Sequence, residues 1–332
     1  MSAGDLVLLV GDINTDVVLH LEEGFPPPGG DSLVRDAYIG PGGGMANTAC
    51  VLAKLGLHPR LIARVGTDVF AEAALNAYRE AGVDLSAIER DPRLRTGLIF
   101  IPVLPGGERT MFSYRGANSE LRLAGLDRDA FRDVKYLQLS GYDFLISPQR
   151  EATWKAVHLA RELEIPIALD LTLDAVRYAP ADIRRLAGLL DVCVLGIEDG
   201  AAYIGTDDPA TIAHSLLEQG VRLAAVKLGA RGAYLADRHS GVEIPAFRVG
   251  AVDTTGAGDA FNAGVVFGRI NRMDPLSTGI LAVALGALAT TVSGAGPGLP
   301  GKSEAIALLE RSISEVQPLE FALRETLAAL RA

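Results

Sequence analysis

The chain has 332 residues, 49% of them hydrophobic and 22% charged, with a net charge of −10. That length suits one large α/β domain spanning residues 1–332, and the composition supports a sizeable core rather than disorder. The acidic balance excludes a nucleic-acid backbone as partner, although a small phosphate ligand stays allowed because only its own site must be electropositive.

Met1 to Val10 has no basic n-region and runs straight into a strand pattern, so no signal peptide is expected and Leu6 to Val10 reads as the first strand. A glycine loop at Gly42 to Gly44 leads into a helical pattern from Ala46 to Leu55 that stops at Gly56. Arg60 to Val65 reads as a strand and Ala71 to Ala81 as a helix ended by Gly82. Further on, strands Tyr136 to Leu139, Ile165 to Leu169, Val192 to Leu195 and Leu223 to Val226 alternate with helices Pro148 to Leu163, Ala181 to Leu189 and Thr211 to Gln219. A strand is expected just before Asp253 and a helix from Ala260 to Gly268. This alternation predicts a doubly wound, mostly parallel α/β sheet. Asp16 to Ile39 breaks the rhythm with Pro26 to Pro28. So does Thr96 to Tyr114, where Leu98 to Leu104 and Arg109 to Tyr114 flank Pro105-Gly106-Gly107 like a β-hairpin. Both stretches read as strands of a small separate sheet.

The two cysteines, Cys50 and Cys193, sit in apolar runs and read as buried thiols, so a reducing cytoplasm is the expected compartment. Trp154 reads as a packing residue, and the scattered histidines form no constellation. The longest apolar run, Ile280 to Thr291, is too short to span a bilayer.

The most informative stretch is Val252-Asp253-Thr254-Thr255-Gly256-Ala257-Gly258-Asp259-Ala260-Phe261. Small residues in a turn that opens a helix let backbone N–H groups approach an anion, and the helix dipole favours its charge. A carboxylate in the same turn, Asp259, can take the proton of an attacking hydroxyl. A plain strand–turn–helix with an aspartate cap fits this local pattern equally well.

The same string closely resembles the C-terminal signature of the ribokinase-like (PfkB) carbohydrate kinases. Gly42-Gly43-Gly44-Met45-Ala46-Asn47-Thr48-Ala49 resembles their N-terminal signature. Gly11 to Asp16 looks like their first strand and substrate loop, and Val226 to Gly232 like their nucleotide-binding strand and turn. The likeness runs in order from about Leu6 to Pro300. It implies an ATP- and Mg²⁺-dependent kinase of a sugar or sugar acid (ribose, fructose or 2-keto-3-deoxygluconate type). In that reading Asp259 is the base, and Gly256, Ala257 and Gly258 are the anion hole. Asn14, Asp16, Gly43 and Asn47 contact the sugar, while Lys227, Gly229, Gly232, Thr255 and Gly294 lie along ATP. The small sheet, residues 16–39 and 96–114, is the implied lid that excludes water. A nucleoside kinase of the same fold is the nearest alternative, and a catalytically silent sugar-binding regulator a more remote one.

Asn and Asp supply the donors and acceptors a polyol needs, which supports Asn14, Asp16 and Asn47, although each alone also suits a turn or cap. Asp170 ends a strand at the edge where doubly wound sheets bind ligands, and its acidity suits a hydroxyl or a metal–water network. Arg115 would favour a sugar acid if it enters the pocket. Two departures from the family pattern appear. Gly196-Ile197-Glu198-Asp199 stands where Asn-x-x-Glu is usual, so Asp199 is the candidate for indirect Mg²⁺ contact; Met45 replaces a usual glycine. Asp253, with the loop Ser293 to Gly296, matches the family's site for a monovalent cation such as K⁺, but Asp253 also suits a simple turn cap. Gly296 to Ser303 fits the P-loop string letter for letter. Pro297 and Pro300 nevertheless lack the N–H groups a P-loop needs, and the preceding stretch, Gly279 to Val292, reads as a helix. Apolar residues on both faces of the small sheet predict a homodimer through it.

Overall fold

Runs such as Leu6 to Val10 and Leu223 to Val226 are apolar at every position, the mark of strands covered on both faces. The computed structural model describes residues 5–122, 126–313 and 320–331. Its strands in chain order are β1 (Leu6–Val10), β2 (Asn14–Leu21), β3 (Val34–Gly42), β4 (His58–Ile62), β5 (Arg64–Val65), β6 (Glu89–Arg90), β7 (Gly97–Val103), β8 (Phe112–Tyr114), β9 (Val134–Ser140), β10 (Ile167–Leu171), β11 (Val192–Gly196), β12 (Leu223–Lys227), β13 (Ala233–Asp237) and β14 (Gly241–Ile244). The helices are α1 (Gly44–Lys54), α2 (Val69–Glu80), α3 (Gln149–Glu162), α4 (Leu173–Tyr178), α5 (Pro180–Ala187), α6 (Ile197–Ile204), α7 (Pro209–Glu218), α8 (Ala257–Ile270), α9 (Pro275–Ala289), α10 (Lys302–Ser312) and α11 (Glu320–Arg331).

The main sheet has eight strands in the order β14-β13-β12-β11-β10-β9-β1-β4. It is parallel from β4 to β12, and β13 and β14 join antiparallel. Side chains alternate between two apolar layers. Val7 and Leu9 face the layer of α1, α2, α8 and α9; Leu8 and Val10 face that of α3, α5 and α7. The parallel strands place Asp12, Asp170, Gly196 and Lys227 at or just past one edge, where ligands of such sheets bind.

A second, four-stranded sheet has the order β3-β2-β7-β8 and comes from the two stretches that break the rhythm. Its hairpin pairs Phe100 with Phe112 across β7 and β8. Two expectations change. No strand precedes Asp253: β14 ends at Ile244, and the N–H groups of Val252 and Asp253 both go to the Thr290 carbonyl instead of to a sheet partner. Arg60 to Val65 is interrupted at Ala63, and β5 pairs with β6 in a separate ribbon rather than extending the main sheet.

Candidate active site

Helix α8 starts because Gly256 takes the left-handed φ of 76°, which turns the chain sharply into the helix. A Cβ there would also lie 2.8 Å from Leu299. The Ala257 N–H, expected in the anion hole, goes to the Thr254 carbonyl at 3.3 Å, whereas Gly258 and Asp259, whose first-turn N–H groups have no partner within a helix, border the larger and the smaller cavity. Opposite them α1 begins at Gly44, where a Cβ would come within 3.2 Å of Asp259 Oδ1. Asp259 therefore lies between two helix starts.

One backbone group fixes the partner of that carboxylate. The Gly296 N–H donates to Asn47 Oδ1 at 3.0 Å, so the Asn47 amide must turn its Nδ2 to Asp259 Oδ2, 2.8 Å away. Burial pushes the Asp259 carboxyl up to about 7, against the lowering effect of the Asn47 bond. A carboxylate poised near neutrality suits a general base.

A cavity of about 370 Å³ lies between this turn and the small sheet. Asn14, Asp16, Gly43, Asn47, Arg115, Thr255, Gly256 and Asp259 all line it, so most of the residues expected to contact a sugar lie in one place with Asp259. Burial pushes Asp16 up to about 6. Gly42 permits its approach, since a Cβ there would sit 2.1 Å from Asp16 Oδ1. Met45, where the pattern leads one to expect glycine, borders the same cavity; its side chain is buried and packs on Gly11. Arg115 reaches the wall but is already paired: its two terminal nitrogens meet Asp12 at 2.9 and 3.1 Å, and one also donates to Gln149 at 2.7 Å. Asp170 does not line this cavity. It accepts from Lys227 at 3.0 Å.

A second cavity, about 650 Å³, opens on the other side of the turn. Lys227, Gly229, Gly232, Ala257 and Gly258 line its polar end, and Phe247, Val249, Phe261 and Val283 its apolar end. Thr254 borders both cavities. Burial alone would pull the Lys227 ammonium down, but Asp170, with Asp259 and Asp199 beyond, outweighs it and raises the group. Lys227 stays charged beside Gly258, where a Cβ would be 3.4 Å from its Nζ. Gly294 borders neither cavity; its N–H donates to Asp253 Oδ2 at 2.8 Å. Thr255 borders the smaller cavity, and its N–H and hydroxyl both go to Asp253 Oδ1. Burial would raise Asp253, yet these hydrogen bonds hold it below the usual carboxylate range. Asp199 caps α6 by accepting the Gly196 N–H.

In the sequence Arg109 is only the first residue of a lid strand, and nothing local marks its partners. From the hairpin of the small sheet it donates to Thr255 and Thr254 hydroxyls at 2.6 and 2.5 Å and lies 3.4 Å from Asp253. The available signal was a pair of arginines, Arg109 and Arg115, flanking one short strand. Lys302 and Ser303 of the P-loop-like string start α10 and line neither cavity.

A helix start that can hold an anion, a base near neutrality and a cavity on each side define a phosphotransferase with a hydroxyl acceptor. The description "pfkB family carbohydrate kinase" matches residues 5–302, and the chain belongs to that family. Fructokinase-1 of Zea mays is 29% identical over 336 residues, covering 94% of this chain and 100% of its own. The aminoimidazole riboside kinase of Salmonella typhimurium is 27% identical over 312 residues, covering 90% of this chain and 93% of its own. Among solved structures, a fructokinase with bound ATP from Xylella fastidiosa superposes with a TM-score of 0.81 at 25% identity, covering 93% of this chain and 99% of that one. The protein is an ATP-dependent carbohydrate kinase.

Proposed function

We propose that the chain transfers the γ-phosphoryl group of Mg·ATP to a hydroxyl of a neutral sugar, with a ketohexose such as fructose the leading acceptor. One observation carries this: Asp259 stands on the wall of the sugar-sized cavity, at the helix start that separates it from the nucleotide-sized one. The acceptor hydroxyl gives its proton to Asp259. Its oxygen attacks the γ-phosphorus, and ADP leaves toward Lys227 and the glycine turn. The N–H groups of Gly258 and Asp259 and the Lys227 ammonium meet the charge that builds on the phosphoryl oxygens. When bound, Mg²⁺ would neutralise charge on the triphosphate, and Asp199, whose charge acts on Lys227, would be the residue to hold it through water.

The pairing of Arg115 with Asp12 favours a neutral sugar over a sugar acid, because a substrate carboxylate would have to displace a carboxylate already held by both guanidinium nitrogens. Ile99, Ile101, Met111 and Leu145 also line the cavity, which favours as second reading a riboside whose base lies on that apolar wall. An ADP-release panel of fructose, ribose, 2-keto-3-deoxygluconate and nucleosides tests the choice. Turnover of fructose above the others is expected; turnover confined to nucleosides, or to the sugar acid, would overturn it.

The small sheet acts as the lid, with Arg109 closing it onto the anion-hole turn. Its outward face exposes Phe100, Phe112 and Tyr114, which supports a homodimer through that face. The Asp253–Gly294 bond already ties together the two segments that a K⁺ would bridge, which supports a monovalent-cation site there. Replacing K⁺ by tetramethylammonium should then lower turnover about tenfold, and an unchanged rate would remove the site. Cys50 and Cys193 are free and buried, in keeping with a reducing cytoplasm, and among the described residues no helix is long and apolar enough to cross a membrane.

A further inference from the structure

The three roots of the small sheet meet at one point. Asn14 opens β2, Gly97 opens β7, and Asn118 stands in the short turn that follows β8. Asn118 is 1% exposed and lines neither cavity, so it cannot touch sugar or ATP. Its amide is nevertheless fully committed. The Ile13 N–H donates to Asn118 Oδ1 at 3.2 Å, while Asn118 Nδ2 donates to the Ile13 carbonyl at 3.1 Å and to Asn14 Oδ1 at 2.8 Å.

The order of these bonds is forced. A backbone N–H can only donate, so Ile13 turns the oxygen of the Asn118 amide toward itself. The other end of that amide is then NH₂, which requires an oxygen from Asn14. Asn14 in turn has only its Nδ2 left for the cavity it lines, and among the described residues that group has no protein partner. Gly97 makes the approach possible: a Cβ there would lie 2.2 Å from Asn14 Oδ1 and 2.4 Å from Asn118 Nδ2.

We propose that Asn118 is a positioning residue that holds Asn14 with its amide donor facing the sugar, so that the site selects a lone pair (a hydroxyl, ring or carbonyl oxygen) at that point. The need for a donor follows from the rest of the wall. Asp16 and Asp259 accept protons there, and a sugar hydroxyl has only one to give. A hydroxyl bound to either carboxylate therefore needs a donor for its oxygen. This rests on the reading of the cavity as the sugar site.

The test substitutes Asn118→Asp, which keeps the shape but replaces the donor by an acceptor. Asn14 must then turn its Nδ2 toward residue 118 and present oxygen to the sugar. The KM for the sugar should rise about 5- to 150-fold, the range of one buried polar mismatch, while the KM for ATP stays within about twofold. Asn118→Ala, which frees Asn14 instead of inverting it, should give a smaller rise in the same constant, and it serves if the aspartate variant does not fold. The decisive measurement is the cycle with Asn14→Ala: the Asn118 substitution should add nothing to the sugar KM once Asn14 is gone. An equal rise in both backgrounds, or a parallel rise in the ATP KM, would mean that Asn118 only supports the fold, and would overturn the proposal. Wild type that turns over no sugar or nucleoside would instead sink the functional reading itself, and this inference with it.

Discussion

Asp259 takes its properties from neighbours far away in sequence. Asn47, 212 positions earlier, holds it, and Gly296 orients Asn47. Asp259→Asn should lower kcat by about 10²–10⁴-fold while ATP binding by calorimetry is kept. Near wild-type turnover would refute the base assignment. The pH dependence has a definite sign. Asp259 accepts a proton only when ionised, and its pKa lies near 7, so kcat/KM should climb as pH rises through about 7 and then level off. A profile flat from pH 5.5 to 8.5 would contradict this. The turn at Gly256 and the helix start after it were legible in the sequence because their glycine pattern is local. The pairing of Arg115 with Asp12, and of Asp170 with Lys227, was not, since nothing in either segment's spacing reports which strand ends adjoin.

At the level of elements, hydrophobic period gave the alternating strands and helices to within a few residues, because buried parallel strands and amphipathic helices differ in pattern. It failed where backbone partners are non-local. The segment before Asp253 looks strand-like, yet Thr290 takes its N–H groups. The antiparallel β13–β14 hairpin, with Asp237 and Ser240 in its turn, also passed unnoticed. The β7–β8 hairpin bears on the proposed closure because Arg109 spans from it to the turn that opens α8. Arg109→Ala should lower kcat by about tenfold to a hundredfold and raise ATP hydrolysis without sugar, measured as the ratio of ADP to sugar phosphate formed. An unchanged ratio and rate would show that the contact does not couple closure to chemistry. Lys302→Ala should stay within a few fold of wild type, since α10 borders neither cavity; a collapse of turnover would return the P-loop-like string to consideration.

For the whole molecule, the outward face of the small sheet predicts association. Light scattering at micromolar concentration should give about twice the 34.9 kDa chain mass, and Phe112→Asp should return it to one. A wild-type monomer would count against the interface. The position of Asp259 also bears on how sturdy the enzyme is. Its carboxyl titrates near 7 in the folded chain but at the ordinary 3.8 when unfolded. The folded form thus holds the extra proton between those values, and the stability this brings is complete below about pH 4 and lost as pH rises through 7. An amide at this position carries no such charge to bury. The Asp259→Asn chain should therefore melt on the order of a few degrees higher than wild type at pH 8, with the gap closing toward pH 4. The carboxylate proposed as the base thus sets an alkaline limit on the heat the fold can withstand.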